Sequence, residues 1–467
     1  MRLHSLVSRV LAPVSLSAVA VLSTSTAWAQ SAGTSPITLD RATKRDVIDT
    51  MASRLRRHYV DADTGRLIAE HMLARATSGA YDAITSPARF AEVLTTDLRA
   101  INDDKHLRVI YDTENPGQRP GPEGIRMFGP PPAGTPRRSP PPGAADAARQ
   151  SHYGLGRVDI LPGNVGYLDT RGFSGGPEVS DYIVSALKYL EGTDAIIIDV
   201  RRNGGGSPVS VNLLISHFTN GDTTASLTVR NRSGNETFTR YTLASVPGPR
   251  RPTVPLYVLT SRGTASAAED FSFVLKNMGR ATIVGSRTAG AGHNNALLDV
   301  GHGFGTSISF TRVSDPRTGK EWERVGVQPD VEVDQARALD VAHALALKTI
   351  AEGEKDMRRR KVIELTRETV EAQSKPVQLS QATLSSYVGE YAEDQSVSLT
   401  DGWLLYSGRA GAPPETLIPL SQATFAVRAT RFNFEPGPDG TMRLRVTPPQ
   451  GESLTYNRLK PNVAAKP

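Results

Sequence analysis

Residues 195–207 read AIIIDVRRNGGGS, a mainly apolar run that is followed, after two arginines and an asparagine, by three glycines and a serine. An apolar run of this kind is typical of a strand that is covered on both faces. Residues 254–260 form a second such strand, and the helix after it carries Phe271 and Val274 on one face and ends at Gly279. Strand, helix and strand in repetition predict an α/β layer with right-handed crossovers, which we assign to residues 151–335.

The chain before this layer divides into two segments with different sequence patterns. From about residue 42 to residue 112 apolar residues recur at helical spacing, as in Val47, Met51 and Leu55, and this predicts a small helical domain over residues 40–113. Proline and glycine then supply 16 of the 29 residues from 115 to 143. Such a stretch cannot form a continuous ladder of backbone hydrogen bonds, so residues 114–150 are predicted to be a linker or a long loop.

The chain after the layer divides into a charged helical part and a β-rich part. Residues 336–375 have a helical pattern, and the charge run at 358–361 (RRRK) predicts a solvated helix face in this connector. Short aromatic-rich runs then recur between turn signals from residue 379 to residue 459. That spacing predicts a small antiparallel β domain over residues 376–460.

Composition excludes several classes of protein. With 467 residues, the chain is long enough for two or three domains that each bury a core. The absence of cysteine excludes a disulfide framework, a thiolate nucleophile and a zinc site built on sulfur. The formal net charge of +6 is small and dispersed, so we expect no nucleic-acid partner.

Residues 1–29 have the pattern of a secretory signal peptide. They begin with Arg2 and Arg9, continue through an apolar run and end in Ala27-Trp28-Ala29. A membrane anchor is the alternative, but the apolar run is short for a spanning helix and Pro13 interrupts it. We therefore expect cleavage near Ala29 and a periplasmic or secreted chain that has no membrane span.

A serine lies where the second buried strand turns into a helix. Residues 259–269 read LTSRGTASAAE, with Ser266 at the turn. Backbone N–H groups in the first turn of a helix are unpaired and carry partial positive charge, so a serine here can attack a carbonyl while the next amide stabilises the oxyanion. The alternative is that Ser266 or Thr264 only caps the helix.

The loop at residues 203–207 adds a second source of donors. Gly204, Gly205 and Gly206 present bare N–H groups directly after the first strand. The loop lacks the sequence forms of the common phosphate-binding motifs, whereas beside a serine nucleophile one of its N–H groups can donate the second oxyanion hydrogen bond. A base is still required, and the histidines considered for it are His106, His293 and His302.

Four segments carry a resemblance to a known family. In chain order they are DDKHLRV at 103–109, the strand with its NGGG loop at 195–206, TASAAEDF at 264–271 and ERVGVQPD at 323–330. Together they resemble the C-terminal processing (tail-specific) serine peptidases, and within them the branch of tricorn protease and the interphotoreceptor retinoid-binding protein. The resemblance covers about residues 42–333. It implies a ClpP/crotonase-like α/β catalytic core that hydrolyses peptides or unfolded proteins without metal or organic cofactor.

The resemblance also assigns roles to single residues. It implies Ser266 as nucleophile, and an oxyanion hole built from the N–H of Ala267 and one N–H from Gly204 or Gly205. The lysine base of the tail-specific branch is absent, because Ala291 occupies its position.

The tricorn-like branch supplies its base differently. By that resemblance the histidine base is His106 and the supporting glutamate is Glu323. Lys105 stands where that branch has a supporting serine, a departure that bears on how the imidazole is oriented.

The sequence allows three other interpretations. On the same fold, the chain could be a non-catalytic module that binds a retinoid or lipid. Ser185 and Lys188 have the S-x-x-K form of β-lactamases, but they lie inside an amphipathic helix pattern. Asp103 and Asp104 could belong to a metal site, but the sequence offers no spaced partner set, so we predict no metal. The sequence predicts no particular oligomeric state.

Overall fold

The structure, a computed structural model, describes residues 39–112, 144–176, 178–232, 235–392, 394–409 and 411–460, which belong to one unit. The signal peptide predicted at residues 1–29 lies outside the described residues, as do residues 114–143 of the predicted linker. The end of that linker differs from the prediction, because residues 144–150 form a helix. Their sequence, AADAARQ, is rich in alanine, the strongest helix former.

The described residues form ten α-helices, a short 3₁₀ helix (His152–Gly154) and twenty strands. In chain order the helices are α1 (Arg41–His58), α2 (Ala62–Thr77), α3 (Pro87–Arg99), α4 (Ala144–Gln150), α5 (Val179–Tyr189), α6 (Pro208–Ser216), α7 (Ala267–Asn277), α8 (Ala338–Gly353), α9 (Met357–Ser374) and α10 (Gln381–Ser386). In the amino-terminal and central parts the strands are β1 (Arg108–Tyr111), β2 (Leu155–Leu161), β3 (Val165–Thr170), β4 (Ala195–Asp199), β5 (Ala225–Asn231), β6 (Glu236–Tyr241), β7 (Leu256–Thr260), β8 (Thr282–Gly285), β9 (Asn294–Gly301), β10 (Phe304–Ser314) and β11 (Val331–Glu332). The carboxyl-terminal strands are β12 (Gly389–Ala392), β13 (Gln395–Thr400), β14 (Trp403–Ser407), β15 (Glu415–Thr416), β16 (Ile418–Pro419), β17 (Thr424–Val427), β18 (Thr430–Pro436), β19 (Met442–Thr447) and β20 (Leu454–Asn457).

The central sheet is the α/β layer that the sequence predicts. Its strand order is β11-β8-β7-β4-β3-β2, and every pair is parallel except β3 with β2. Alternate residues of β4 face opposite sides: Ile196 and Ile198 pack with α5, α6 and α7, whereas Ile197 packs with α8. Burial on both faces accounts for the uninterrupted apolar run, because neither face meets water.

A second sheet joins the amino-terminal helices to the rest of the unit. Strand β10 pairs antiparallel with β1, β5 and β9, and β6 extends β5. Phe304 and Ile308 of β10 and Leu298 of β9 share one buried core with α1, α2 and α3. The helical region predicted at residues 40–113 therefore packs onto the core region through a shared apolar interface.

The helical connector predicted at residues 336–375 consists of α8 and α9. Ala342 and Leu347 of α8 are buried against the central sheet, so this helix is part of the core rather than only a connector. In the charge run at the start of α9, Arg359 pairs with Asp194 and Glu354, which ties this end of the helix to the unit.

The carboxyl-terminal part is a pair of small antiparallel sheets, as predicted from the aromatic runs. The first has the order β12-β13-β14-β15 and the second has the order β16-β17-β18-β19-β20. Their shared core contains Tyr387, Tyr391, Phe425 and Phe434. None of the helices in the described residues is both long enough and apolar enough to cross a bilayer.

Candidate active site

His106 and Ser266, which are 160 positions apart in sequence, are in contact. Nε2 of His106 lies 3.2 Å from Oγ of Ser266, within hydrogen-bond distance. The pairing of β1 with β10, in which Arg108 opposes Ser307, holds the histidine segment against the core. Two segments that the sequence separates by a proline-rich stretch therefore meet at one point.

Ser266 lies in a strained turn between β7 and α7. Its backbone angles are φ 52° and ψ −119°, outside the conformations that a residue with a side chain ordinarily adopts. The turn is fixed to the end of β4, because the N–H of Ala265 donates to Asn203 O over 3.1 Å and Oγ1 of Thr264 donates to Val200 O over 2.8 Å. The turn directs the serine hydroxyl to His106.

Glu269, to which the sequence analysis assigned no role, is a fully buried carboxylate beneath this turn. Its Oε2 accepts from the N–H groups of Ser266 (2.9 Å) and Ala291 (2.7 Å), and its Oε1 accepts from Gly290 N–H (2.7 Å) and Thr288 Oγ1. Burial raises the pKa of Glu269, while these four donors act in the opposite direction. The signal in the sequence was a glutamate three residues after a serine at a helix start, which also describes an ordinary capping pair.

Gly205 must be a glycine, because it lies directly against the serine. A Cβ built on Gly205 would lie 2.9 Å from Cβ of Ser266 and 3.0 Å from the nitrogen of Ala267, and its φ is +110°. Its N–H donates to Oδ1 of Asn203 over 2.9 Å. This corrects the expectation that Gly205 can offer an oxyanion donor, because its N–H is already paired.

Gly204 and Ala267, the other residues predicted for the oxyanion hole, line the same cavity as Ser266. Neither N–H is paired with any residue that the structure describes. For Ala267 the reason is its place as the first residue of α7, where a helix leaves its N–H groups without internal acceptors.

The imidazole of His106 is largely buried. Burial, opposed by the charge of Asp104, lowers its pKa to about 4, and nearby positive charges contribute to the lowering. The imidazole is therefore neutral near pH 7. Its backbone N–H donates to Oδ1 of Asp104 over 2.9 Å, while Nδ1 of the ring is buried without a partner among the described residues.

Glu323 reaches the site, but its contacts are with His293. Oε2 of Glu323 accepts from the N–H groups of Gly292 (2.6 Å) and His293 (3.1 Å) and lies 3.8 Å from Nδ1 of His293. Burial raises the pKa of Glu323, and its Oε1 is buried without a partner in the described part of the chain. Direct support of His106 Nδ1 by Glu323, the expectation from the resemblance, is not seen.

Asp104 connects the two histidines. Its Oδ2 lies 3.3 Å from Nδ1 of His293 and accepts from the hydroxyl of Tyr59 over 3.0 Å. Burial alone would raise the pKa of Asp104, but His293 and the backbone N–H of His106 lower it to about 2. Ligand atoms of Asp104, His293 and Glu323 lie within 4.8 Å of one another, so these side chains have a spacing that a metal ion could bridge.

The contact between Ser266 and His106 does not involve Lys105, His302 or Ser185. Lys105 pairs through Nζ with Oδ2 of Asp103 at 2.5 Å on the surface. His302 pairs with Asp46 at 2.8 Å, also on the surface. Ser185 is exposed within α5.

Ser266 and His106 both line a cavity of about 450 Å³, within the range of small-molecule and peptide clefts. Its walls combine polar and charged side chains with a few apolar ones. The lining residues are Arg99, Lys105, His106, Arg108, Gly204, Gly206, Pro208, Leu227, Ser266, Ala267, Asp270, Ala291, Gly292, His293, Asn294, Asn295, Ser307, Val313 and Trp322. The serine–histidine contact is thus open to a ligand.

The fold and this contact define a class: α/β proteins in which a serine at a strand-to-helix turn faces a histidine from a distant segment. Residues 164–333 match the sequence profile described as peptidase family S41. Residues 33–139 match the profile described as the N-terminal domain of peptidase S41 in eukaryotic IRBP. Both matches confirm the resemblance to this peptidase family that was stated from the motifs.

Individual relatives cover only parts of the chain. It is 31% identical over 180 residues to the carboxyl-terminal-processing protease of Synechocystis sp., a segment that covers 38% of this chain and 40% of that one. The identity to the carboxy-terminal processing protease CtpB of Bacillus subtilis is 27% over 174 residues, or 37% and 34% of the two chains. The chain thus spans two fifths or less of these relatives' lengths. The solved photosystem II D1 C-terminal processing protease is 18% identical, with 64% of this chain and 94% of that chain covered and a TM-score of 0.39.

Proposed function

We propose that the chain is a serine endopeptidase in which Ser266 is the nucleophile and His106 the general base. The observation that carries this proposal is the 3.2 Å contact between Oγ of Ser266 and Nε2 of His106 at the wall of an open cavity. A neutral imidazole in hydrogen-bond reach of a serine hydroxyl is the arrangement that nucleophilic catalysis requires.

The acylation step follows from this contact. Oγ of Ser266 bonds to the carbonyl carbon of the peptide while its proton passes to Nε2 of His106. The N–H groups of Ala267 and Gly204 stabilise the negative oxygen of the tetrahedral intermediate. The C–N bond then breaks, and the proton on Nε2 passes to the departing amine. Water repeats the sequence on the acyl-enzyme, with His106 again accepting and returning the proton.

This sequence requires the tautomer of His106 that carries its hydrogen on Nδ1. In the described residues Nδ1 of His106 and Oε1 of Glu323 are both buried and unpartnered, and each such group costs about 1–3 kcal/mol. We infer that the two pair when substrate binds, because catalytic hydrogen bonds are often completed only in the complex. His293, between Glu323 and Asp104, then acts as a positioning residue.

The alternative function, a retinoid- or lipid-binding module, is less favoured by the walls of the cavity. Arg99, Lys105 and Arg108 line it together with several asparagines and serines. An apolar ligand would have to remove water from these groups without replacing their hydrogen bonds, which is unfavourable.

Labelling by a fluorophosphonate probe tests the proposed nucleophile. We expect the wild-type chain to be labelled and Ser266→Ala to be unlabelled, with Ser185→Ala as a matched control because Ser185 is exposed on α5 and should leave labelling unchanged. An unlabelled wild-type chain that binds retinol tightly would overturn the peptidase proposal and support the binding module. Labelling that persists in Ser266→Ala would show that a different residue is the nucleophile.

A further inference from the structure

Three cationic side chains form one wall of the cavity that contains Ser266. We call Arg99, Lys105 and Arg108 the cationic wall; all three line the cavity, and the acidic side chain that lines it is Asp270. The balance of charge at the cavity therefore depends on whether Asp270 is available to neutralise the wall.

Asp270 is already paired with a different cation. Its two carboxylate oxygens accept from Nη1 and Nη2 of Arg240 at 2.6 and 2.7 Å, and both side chains are more than nine-tenths buried. A two-pronged pair of this kind satisfies both oxygens and neutralises the charge. Asp270 consequently does not neutralise the cationic wall.

The members of the cationic wall differ in how firmly they are held. Nε and Nη2 of Arg99 donate to the carbonyl oxygens of Leu107 (2.7 Å) and Lys105 (2.8 Å), so its guanidinium is fixed without a carboxylate. Arg108 is exposed on β1, and no carboxylate in the described residues pairs with it. In the part of the chain that the structure describes, Lys105 pairs with the exposed Asp103.

The cationic wall belongs to the segment that also carries His106. In the proposed reaction the acyl group lies beside Ala267 and Gly204, whereas Nε2 of His106 delivers a proton to the departing amine. The side of the cavity nearest the imidazole is therefore the side of the leaving group. The charges of Arg108 and Arg99 both lower the pKa of His106, which is consistent with both guanidinium groups lying close to the imidazole.

We propose that the cationic wall binds the carboxylate of an aspartate or glutamate side chain on the leaving-group side of the peptide bond that is cleaved. This inference rests on the proposed peptidase function and adds a substrate class to it. Guanidinium groups match carboxylates in geometry and charge, and a wall of one sign also attracts acidic segments at a distance.

Paired peptides test the proposal. Internally quenched peptides with an amidated carboxyl end would be built on a sequence that the wild-type chain cleaves, with Glu or Gln at the first or second position after the cleaved bond. We expect kcat/KM for the better Glu peptide to exceed that of its Gln partner by roughly tenfold, because a guanidinium donates stronger hydrogen bonds to an ionised carboxylate than to a neutral amide. The ratio should fall as ionic strength rises.

Variants connect this preference to the cationic wall. The double variant Arg99→Gln/Arg108→Gln should bring the Glu to Gln ratio close to one, and Arg108→Gln alone, at an exposed position, should lower it without endangering the fold. Arg66→Gln, which removes an exposed arginine from α2, should keep the wild-type ratio.

Two outcomes would overturn this inference while leaving the peptidase proposal intact. One is cleavage of Glu and Gln peptides at equal rates, including the case in which only a free carboxyl terminus raises the rate. The other is a Glu preference that survives removal of both arginines. Absence of both labelling and hydrolysis would instead refute the peptidase function itself.

Discussion

The backbone N–H of Ser266 donates to Oε2 of Glu269 over 2.9 Å, so the residue that carries the proposed nucleophile is held by a carboxylate from the first turn of its own helix. The same carboxylate oxygen accepts from Ala291 N–H at 2.7 Å. Glu269 thus joins the strained serine turn to the loop that carries His293, and this arrangement fixes the serine relative to both histidines.

Replacing Glu269 by Gln should destabilise the fold and reduce labelling of Ser266. An amide has one acceptor oxygen where the carboxylate has two, so at least one of the buried N–H donors loses its acceptor. The free energy of unfolding should fall by about 2–4 kcal/mol. The fluorophosphonate labelling rate should fall roughly tenfold or more, because misplaced catalytic groups lose rate steeply. Urea unfolding and labelling kinetics measure the two effects.

The control for this variant is Glu92→Gln. Glu92 is 66% exposed and pairs with Arg89 on α3, so its loss should cost less than about 1 kcal/mol. If Glu269→Gln were as stable as Glu92→Gln, Glu269 would have no part in holding the turn.

Gly205→Ala should abolish most labelling while leaving the rest of the fold in place. The new methyl group would lie 2.9 Å from Cβ of Ser266 at a φ of +110°, and displacement of the serine by about 1 Å can cost roughly 100-fold in rate. Gly192→Ala is the matched control, because a Cβ at Gly192 meets nothing within 4 Å. Equal labelling rates for the two variants would show that the approach of Gly205 to Ser266 is unimportant.

Labelling should continue well below the pH at which an ordinary histidine becomes protonated. With the pKa of His106 lowered to about 4 by burial, the neutral base is present above that pH and is lost as the pH falls through it. At pH 5 the rate should keep about nine tenths of its plateau, whereas a histidine with the usual pKa of about 6.5 would keep a few per cent.

The charge of Arg108 contributes to this low pKa. Arg108→Gln should therefore move the acid limb of the pH profile to higher pH. A wild-type limb near pH 6.5 would contradict the burial of the base in the active protein.

The two histidines should respond differently to substitution. His106→Ala should lower the labelling rate by about 100-fold to 10,000-fold, the contribution of a general base. His293→Gln should lower it less, because its imidazole contacts Asp104 and Glu323 and makes no hydrogen bond with Ser266 among the described contacts. An equal loss of labelling rate in both variants would support His293 as the base.

Local patterns predicted the central sheet well, and long-range pairing explains what they did not predict. The run at residues 195–200 identified a strand buried on both faces. Because α7 covers β4 on one side and α8 covers it on the other, residues 195–198 are all apolar. The same patterns separated residues 40–113 from the core. The interface between α1 and β10 depends on residues about 250 positions apart. The local spacing of apolar residues therefore cannot predict it.

The candidate site likewise contains residues that local sequence patterns predict and residues that they do not. Ser266 was identifiable from a strand-to-helix turn. The sequence left His106, His293 and His302 open as the base, and only the resemblance selected His106, since no spacing joins it to the serine. The expected contact between Glu323 and His106 is not made among the described contacts, in which Glu323 contacts Gly292 and His293 instead. Those contacts depend on the path of the loop at residues 290–293. The engagement of Gly205 by Asn203 is likewise a matter of loop geometry.

A double-variant cycle tests most directly whether Ser266 and His106 act as one unit. Hydrolysis of a fluorescein-labelled unfolded casein would be measured for the wild type, Ser266→Ala, His106→Ala and the double variant. Residues that act together lose rate non-additively, so we predict that the double variant retains the same residual kcat/KM as Ser266→Ala alone. Losses that multiply in the double variant would contradict a shared serine–histidine mechanism.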